Sequence, residues 1–143
     1  MLHSPFTPGW ASAFRSAINS SAEYRESAKS WLWPVALVLA AAPDLGYPTD
    51  SALELQLSRG DCSAASLVDL PEVTAPFVLR GDYATWKEIV RGDLDPLMAV
   101  TRRRIIFTGA LTTLLLHAKA ARALVGCAQQ VPTQFAGEAG ASA

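Results

Sequence analysis

Cysteine and histidine are scarce in this chain of 143 residues, with two of each. Cys62 and Cys127 lie far apart, as do His3 and His117, so a four-ligand metal site would have to be assembled from scattered residues. We therefore expect no bound metal. The cysteines are interpreted as buried free thiols, and the sequence leaves a single disulfide open. A glycine-rich phosphate loop is also missing, and no cofactor is expected.

A set of residues suited to catalysis is missing as well. Asp44, Asp50, Asp61 and Asp69 all fall in predicted turns, where Asp is a common turn former. His117 has no Ser, Asp or Glu before it at a spacing that indicates a catalytic triad. We therefore predict no catalytic residue, and we interpret His117 as a solvated helix residue.

An excess of charge of one sign is absent, and so is a long apolar run. Twelve Lys and Arg against 13 Asp and Glu leave a formal net charge of −1, so no overall field attracts nucleic acid. The most apolar stretch, residues 31–43, is interrupted by Pro34 and is shorter than the ~20 residues that cross a bilayer. The N-terminus shows no secretory signal pattern. We expect a cytoplasmic protein with no transmembrane segment and no nucleic-acid partner.

Aliphatic residues in short runs are abundant, and half of the chain is hydrophobic. Residues 35–40 form a continuous aliphatic run, which is typical of a central strand. Residues 51–58 alternate, with leucines on one face and Glu54 and Gln56 on the other, which predicts a sheet that is covered on one side and wet on the other. Five strands are predicted, over residues 35–40, 51–58, 62–68, 74–80 and 104–108.

Helical periodicity occupies the intervals between these runs. Thr7 and Pro8 form a cap-and-proline start, and the apolar stripe that follows includes Trp10 and Phe14. A capping box over residues 20–23 predicts a second helix at a bend. Further helices are predicted around Trp86, over residues 97–103 and over residues 112–129.

Residues 77–96, with the sequence FVLRGDYATWKEIVRGDLDP, carry a more specific pattern. A strand ends in Gly81 and Asp82, a short helix carries Trp86, and a Gly-Asp-Leu-Asp-Pro turn precedes the next helix. Asp82 can accept from the free amides of a helix start, and Gly92 can adopt the left-handed conformation that ends a helix. This pattern resembles the sterol carrier protein 2 family in its stand-alone bacterial form.

The resemblance extends over residues 8–135 and implies an α/β (α+β) fold. In this fold a five-stranded, largely antiparallel sheet is covered on one face by helices, with an apolar tunnel between the layers. A single lipid-binding domain is expected over residues 1–135, followed by a disordered tail over residues 136–143. The implied function is non-catalytic binding or carrying of an apolar small molecule, such as a lipid, fatty acyl chain, acyl-CoA or sterol-like compound. The sequence leaves the ligand's identity and a homodimer open.

The last predicted helix carries a stripe that grades from leucine to alanine. Such a stripe suits a tunnel wall, and it equally suits a helix that packs closely on a sheet; the resemblance favours the tunnel. Val131 and Phe135 flank the break at Pro132 and are predicted to fold back over the open end as a plug. The residues predicted to line the cavity are Leu97, Val100, Phe107, Leu111, Leu114, Leu115, Ala118, Val125, Val131 and Phe135.

The arginines of this part of the chain have two interpretations each. Arg122 falls near the apolar stripe on a helical wheel, where it either snorkels to the edge of the layer or contacts the anionic end of a ligand. Arg102, Arg103 and Arg104 either complement the end of a helix dipole or contact a lipid headgroup, a phosphate or a membrane surface.

Two other functions stay open at this point. An accessory enzyme of lipid or natural-product metabolism would hold its substrate in the same cavity and would need a polar group aimed into it, for which Arg122 is the candidate. A protein-interaction module with a vestigial cavity, packed shut, would instead bind its partner through the edge of the sheet or through Arg102, Arg103 and Arg104.

Overall fold

The computed structural model describes residues 2–136, and this part of the chain forms six α-helices and one five-stranded sheet. The predicted tail, residues 136–143, lies outside the described residues except for Ala136. The helices are α1 (Pro8–Asn19), α2 (Ala22–Ser27), α3 (Tyr83–Val90), α4 (Pro96–Thr101), α5 (Leu111–Leu116) and α6 (Ala118–Gln129). The strands are β1 (Val35–Leu39), β2 (Ser51–Ser58), β3 (Asp61–Val68), β4 (Phe77–Gly81) and β5 (Ile106–Thr108).

The strands are ordered β3-β2-β1-β4-β5 across the sheet. β1 pairs in parallel with β4, and the other three pairings are antiparallel. Val35 and Leu37 of β1, Phe77 of β4 and the leucines of β2 share the face toward the helices, and all are buried. The predicted α/β (α+β) fold, a five-stranded and largely antiparallel sheet covered by helices, is confirmed.

Side-chain caps start several helices at the predicted residues. Thr7, Asp82 and Asp95 each accept a hydrogen bond from a backbone amide in the first turn of α1, α3 and α4, respectively. α2 begins one residue later than the capping box predicts, with Ser21 as its cap. Gly92 has a φ of +84°, so the predicted left-handed residue after α3 is confirmed.

Glu54 departs from the prediction of a wet face on β2. It lies on the face away from the helices, yet it is buried. The connection from β3 to β4 must cross the sheet because these strands are not neighbours. Glu54 Oε2 accepts hydrogen bonds from the backbone amides of Thr74 and Ala75 at 2.9 and 3.1 Å. The carboxylate therefore anchors this crossover, and the prediction of a wet face is wrong at this position.

The prediction of one helix over residues 112–129 is also wrong, because α5 and α6 meet at a break at His117. The backbone of His117 leaves the helical conformation, with φ −110° and ψ 32°. Its ring packs edge-on against Trp31, with the centroids 5.2 Å apart, and Nδ1 lies 2.8 Å from the Thr113 carbonyl oxygen. These contacts draw the junction toward the sheet and change the rotational phase between α5 and α6.

The helix layer is tightly packed beside Gly81, at one end of β4, which we call the packed end. The rings of Phe6 and Trp86 lie there with their centroids 5.6 Å apart. Phe135 packs edge-on against Tyr83 in the same region. All four aromatic residues are buried, so this end of the layer is closed to solvent.

The layer is looser beside Phe77, at the other end of β4, which we call the open end. Trp31 packs against Phe77 with the ring centroids 4.8 Å apart, and the start of α5 follows directly on β5. α5 nevertheless exposes three of its leucines, Leu111, Leu115 and Leu116. The prediction that Leu111 and Leu115 face the sheet is wrong, because the break after α5 rotates them outward.

Candidate functional site

An apolar cavity of about 70 Å³ lies between the helices and the helix-facing side of the sheet. Every helix, and every strand except β3, contributes at least one residue to the cavity wall. Trp10 and Trp86 contribute from the packed end, whereas Phe77, Leu114 and His117 contribute from the open end. The wall therefore includes residues from both ends of the helix layer.

Three tryptophans of the wall present ring surface to the cavity. The indole N–H groups of Trp10, Trp31 and Trp86 donate to protein oxygens at 3.0, 2.7 and 2.9 Å, respectively. The acceptor for Trp86 is the Val38 carbonyl oxygen of the central strand β1. Because these donors are satisfied by the protein, the rings act as flat hydrocarbon surfaces toward the cavity.

His117 and Tyr24 bring the other polar groups to the wall. His117 Nε2 lies 3.3 Å from Ser30 Oγ, and its Nδ1 faces the Thr113 carbonyl oxygen, so both ring nitrogens have partners. Burial raises the pKa of Tyr24 well above its usual range, so the phenol stays protonated at neutral pH. The prediction of a solvated His117 is wrong, because the helix break turns its ring inward against Trp31.

The structure brings Phe107, Leu114 and Val125 of the predicted cavity residues into the wall. The others lie outside the wall. The break at His117 interrupts the single long helix assumed for the stripe, and Ala99 is the buried residue of α4. The predicted residues that lie outside the wall are Leu97, Val100, Leu111, Leu115, Ala118, Val131 and Phe135.

The plug predicted from Val131 and Phe135 is in the wrong place. Phe135 packs against Tyr83 at the packed end, away from the start of α5. A parallel bridge between His3 and Thr133 ties the segment after α6 to the N-terminal segment. Val131 and Phe135 are consequently buried in the core. This pairing joins residues from the two ends of the chain, which no local pattern indicates.

Arg122, predicted to contact the anionic end of a ligand, is paired within the protein. Its Nε donates to Asp95 Oδ1 at 2.7 Å, and Oδ2 of the same carboxylate accepts from the amides of Leu97 and Met98 at the start of α4. The Arg122 hydrogen bond holds the pKa of Asp95 below its usual value. The pair links α4 to α6 outside the cavity wall, and Arg122 is exposed rather than set on the apolar stripe.

The run Arg102 to Arg104 divides into two kinds of residue. Arg104 hydrogen-bonds Glu88 and Thr85 of α3, and this contact lowers the pKa of Glu88. Arg102 and Arg103 are exposed and form no ion pair within residues 2–136. Arg102 is the C-cap of α4, where a cation complements the helix dipole.

Most of the wall consists of residues that the sequence assigns to the core. Helical spacing predicts Trp86, Ile89 and Val90 on one core-facing side of α3, and that side also forms part of the cavity wall. Trp31 enters the wall from a loop, for which no periodic signal exists. The cavity wall therefore consists largely of core residues. The sequence pattern that predicts burial also predicts which residues line the cavity.

The described part of the chain has no group of three or more His, Cys, Asp or Glu residues placed to hold a metal ion. Cys62 and Cys127 are both buried and free, which confirms their interpretation as buried thiols. Burial raises the pKa of both thiols. Between residues 2 and 136, no helix has the length and apolarity that a membrane span requires.

Solved structures match this chain over most of its length. A crystal structure of sterol carrier protein 2 is 37% identical to it, with a TM-score of 0.84, over 89% of this chain and 98% of the other. A conserved hypothetical protein from Thermus thermophilus, solved in solution, is 36% identical with a TM-score of 0.83 over 90% of each chain. Sterol carrier protein 2 from Yarrowia lipolytica, at 14% identity and a TM-score of 0.56 over 83% of this chain and 88% of its own, shares the fold alone.

No family model and no curated protein sequence matches the chain. The first two structures nevertheless share both sequence and fold with it, over nearly the full length of both partners. The motif residues Asp82, Trp86 and Gly92 also occupy the structural positions that the resemblance implies. The chain therefore belongs to the sterol carrier protein 2 family.

Proposed function

We propose that this chain is a lipid-binding domain, which holds an apolar small molecule between its sheet and its helices without catalysing a reaction on it. One observation carries the proposal: the cavity wall is apolar, and the indole and imidazole nitrogens in it already have protein partners. A ligand in such a cavity gains affinity mainly by burying hydrocarbon. The name of the matched relatives, sterol carrier protein, supports the same class of ligand.

The size of the cavity indicates how a ligand would be accommodated. A volume of about 70 Å³ is well below the roughly 300–1,000 Å³ of sites for larger organic ligands. A lipid, fatty acyl chain, acyl-CoA or sterol-like compound would therefore enlarge the cavity as it binds. α5 is the element suited to move, because it packs mainly against α6 and exposes four of its six residues. Phe107, Leu114 and Val125 are the predicted residues that we propose as ligand contacts.

A non-catalytic role fits the chemistry of the wall. The accessory-enzyme alternative requires a polar group aimed into the cavity, and its candidate, Arg122, is paired with Asp95 outside the wall. Tyr24 stays protonated because burial raises its pKa. We propose the cytoplasm as the compartment, which the two free thiols support. A homodimer stays a prediction.

The proposal is tested by titrating the purified chain with a fluorescent fatty acid and by mass spectrometry of any co-purified lipid. We expect saturable binding that an unlabelled fatty acid competes away. Ala121→Leu adds a side chain at the cavity wall and should weaken binding about tenfold or more, which corresponds to ~1.4 kcal/mol.

The matched control is Gly126→Leu, which adds the same side chain to α6 where a Cβ would meet no atom within 4 Å. It should bind like the wild type, and urea unfolding of both variants checks that each one folds. No saturable binding by the wild type, together with no co-purified lipid, would contradict the proposal and favour a packed-shut interaction module. Equal binding by both variants would place the ligand elsewhere.

A further inference from the structure

We propose that His117 is a latch that keeps the cavity in its small, closed form. The latch ties the break between α5 and α6 to the segment before β1, and a ligand must release it to enter. The inference rests on the proposed function, because it concerns how the same cavity opens. It goes beyond that function by assigning the cost of opening to one residue, and by predicting that the loss of this residue's contacts strengthens ligand binding.

The first observation is that His117 lies where α5 joins the rest of the molecule. α5 ends at Leu116 and α6 begins at Ala118, and the His117 backbone between them is not helical, with φ −110° and ψ 32°. Leu114 is the buried residue of α5, whereas four of the six residues are exposed. The orientation of α5 is therefore held by few contacts, and those of His117 lie at its hinge.

The second observation is that the His117 side chain contacts both sides of this hinge. Nδ1 lies 2.8 Å from the Thr113 carbonyl oxygen of α5, and a carbonyl can only accept, so Nδ1 donates this hydrogen bond. Nε2 lies 3.3 Å from Ser30 Oγ, and the ring packs edge-on against Trp31 and Trp33, with the centroids 5.2 and 6.0 Å apart. One ring thus joins α5 to the segment before β1.

The segment that the ring contacts is itself anchored to the sheet. Trp31 and Trp33 pack against Phe77 of β4, with the ring centroids 4.8 and 5.7 Å apart. The Trp31 carbonyl oxygen also accepts from the backbone amide of Arg59 at 2.7 Å, at the turn between β2 and β3. This segment therefore stays with the sheet, and α5 is the part that moves when the latch is released.

A ligand cannot enlarge the cavity through α5 without disturbing these contacts. His117 and Leu114 both line the cavity of about 70 Å³, so the wall opens where the latch lies. Because the ring is hydrogen-bonded to Thr113, an outward movement of α5 either breaks that bond or pulls the ring away from Trp31 and Ser30. The aromatic residues of the packed end are buried, which leaves the open end as the route.

The consequence for affinity is opposite in sign to that of an ordinary ligand contact. If a protein binds its ligand only in a minor open form, the apparent Kd is the intrinsic Kd divided by the fraction of the protein that is open. Aromatic and hydrogen-bonded contacts that exist only in the closed form lower this fraction. Removing the His117 side chain should therefore strengthen binding about fivefold, even though the side chain is part of the wall.

The test compares the wild type with His117→Ala by titration with a fluorescent fatty acid and by stopped-flow measurement of its association. We expect His117→Ala to bind about fivefold more tightly and to take up the fatty acid faster. Ser30→Ala removes one partner of the latch from an exposed position outside the wall. It should strengthen binding about twofold while the cavity itself stays the same.

Urea unfolding checks that each variant folds. His117→Phe keeps a ring against Trp31 but removes both nitrogen atoms, so its affinity should fall between those of the wild type and His117→Ala. If His117→Ala does not fold, His117→Phe and Ser30→Ala test the latch in its place.

The matched control for cavity size is Leu124→Ala, which also removes a wall side chain from α6, about two turns beyond His117. It should bind the fatty acid more weakly than the wild type, because it loses hydrocarbon contact with the ligand. Equal strengthening by Leu124→Ala and His117→Ala would show that extra volume produces the gain, and it would overturn the latch.

Amide hydrogen exchange of the free chain separates the latch from the lipid-binding function. Exchange in α5 should be about fivefold faster in His117→Ala than in the wild type, with the amides of α3 at the packed end unchanged. Equal exchange of α5 in the two proteins would overturn the inference, and so would wild-type binding that His117→Ala and Ser30→Ala leave unchanged or weaken. Faster exchange in α5, with no saturable binding by the wild type or by any variant, would instead contradict the lipid-binding function alone.

Discussion

The two ends of β4 carry the same kinds of residue but use them differently. At the packed end, Tyr83, Trp86 and Phe135 are buried against one another or against the N-terminal segment. At the open end, Leu111 and Leu116 are as apolar but remain largely in water. Burial of apolar surface stabilises the fold at one end, and the unburied apolar surface at the other is available for binding.

Within one hydrophobic layer, the packed end thus serves the stability of the fold and the open end serves the access of a ligand to the cavity. The packed end is held by connections between distant parts of the chain, such as the bridge of His3 to Thr133 and the bond from Trp86 to the Val38 carbonyl oxygen. The open end is held by the short α5 and by the ring of His117. We therefore expect substitutions at the packed end to lower the free energy of unfolding, and substitutions at the open end to change binding.

The largest expected effect is that of Trp86→Ala. The substitution empties a large buried site and removes the donor to the Val38 carbonyl oxygen at 2.9 Å. It should lower the free energy of unfolding by about 3–5 kcal/mol, measured by urea denaturation. Trp86→Phe keeps an aromatic ring but removes the donor, so its loss should be smaller. A Trp86→Ala variant with the same free energy of unfolding as the wild type would contradict the stabilising role of the packed end and would break the comparison.

Phe135→Ala should have the next largest effect, with a loss of about 3 kcal/mol of unfolding free energy. The ring is buried against Tyr83 rather than at the mouth of the cavity. Uptake of a fluorescent fatty acid should stay unchanged under conditions where the variant is folded. The control is Leu116→Ala at the open end, where the exposed side chain contributes within about 0.5 kcal/mol. If Phe135→Ala changed the rate of ligand release more than it changed the free energy of unfolding, the prediction of Phe135 as a plug would be supported instead.

Asp95 produces a smaller and pH-dependent effect. Asp95→Ala removes the cap of α4 and the partner of Arg122, and it should cost about 1 kcal/mol. Asp95→Asn keeps a capping oxygen and should cost a few tenths of that amount. Urea unfolding at neutral pH measures both losses, and Arg122→Gln, which removes only the ion pair, should match Asp95→Asn.

The sign of the pH dependence follows from the pKa of Asp95. Its hydrogen bond with Arg122 lowers this pKa in the folded state below the ordinary 3.8. The carboxylate therefore contributes its full stabilisation above pH 3.8, and the contribution is lost as the pH falls through the folded pKa. The stability difference between the wild type and Asp95→Asn should be constant near neutral pH and should shrink below pH 3.8. A difference that grows on acidification would contradict the assignment of this pair.

Much of the fold could be predicted because its signals are local. The alternation of residues 51–58 matches β2 at both ends, and the caps Thr7, Asp82 and Asp95 start the predicted helices. The other four strands begin or end within three residues of their predicted bounds. Local signals suffice here because strand alternation and helix caps depend on residues that are close in sequence.

The candidate site could be predicted only in part, because its wall depends on contacts between distant residues. The helical wheel over residues 112–129 places Leu111 and Leu115 inside, but the contact of His117 with Trp31 breaks that helix and turns both leucines outward. Phe107, Leu114 and Val125 still reach the wall. A wheel is valid only while the helix is continuous, and a tertiary contact can interrupt it.

The sequence by itself determined where the strands and helices lie, which faces are apolar and, through the segment around Asp82 and Trp86, which family the chain resembles. Only the tertiary structure decided that Phe135 closes the packed end, that Arg122 is neutralised by Asp95, and that α5 leaves its leucines in water. The physical reason is the distance along the sequence over which each effect acts. Periodicity and capping act over a few residues, whereas these three outcomes depend on which remote segments the packing of one shared core brings together.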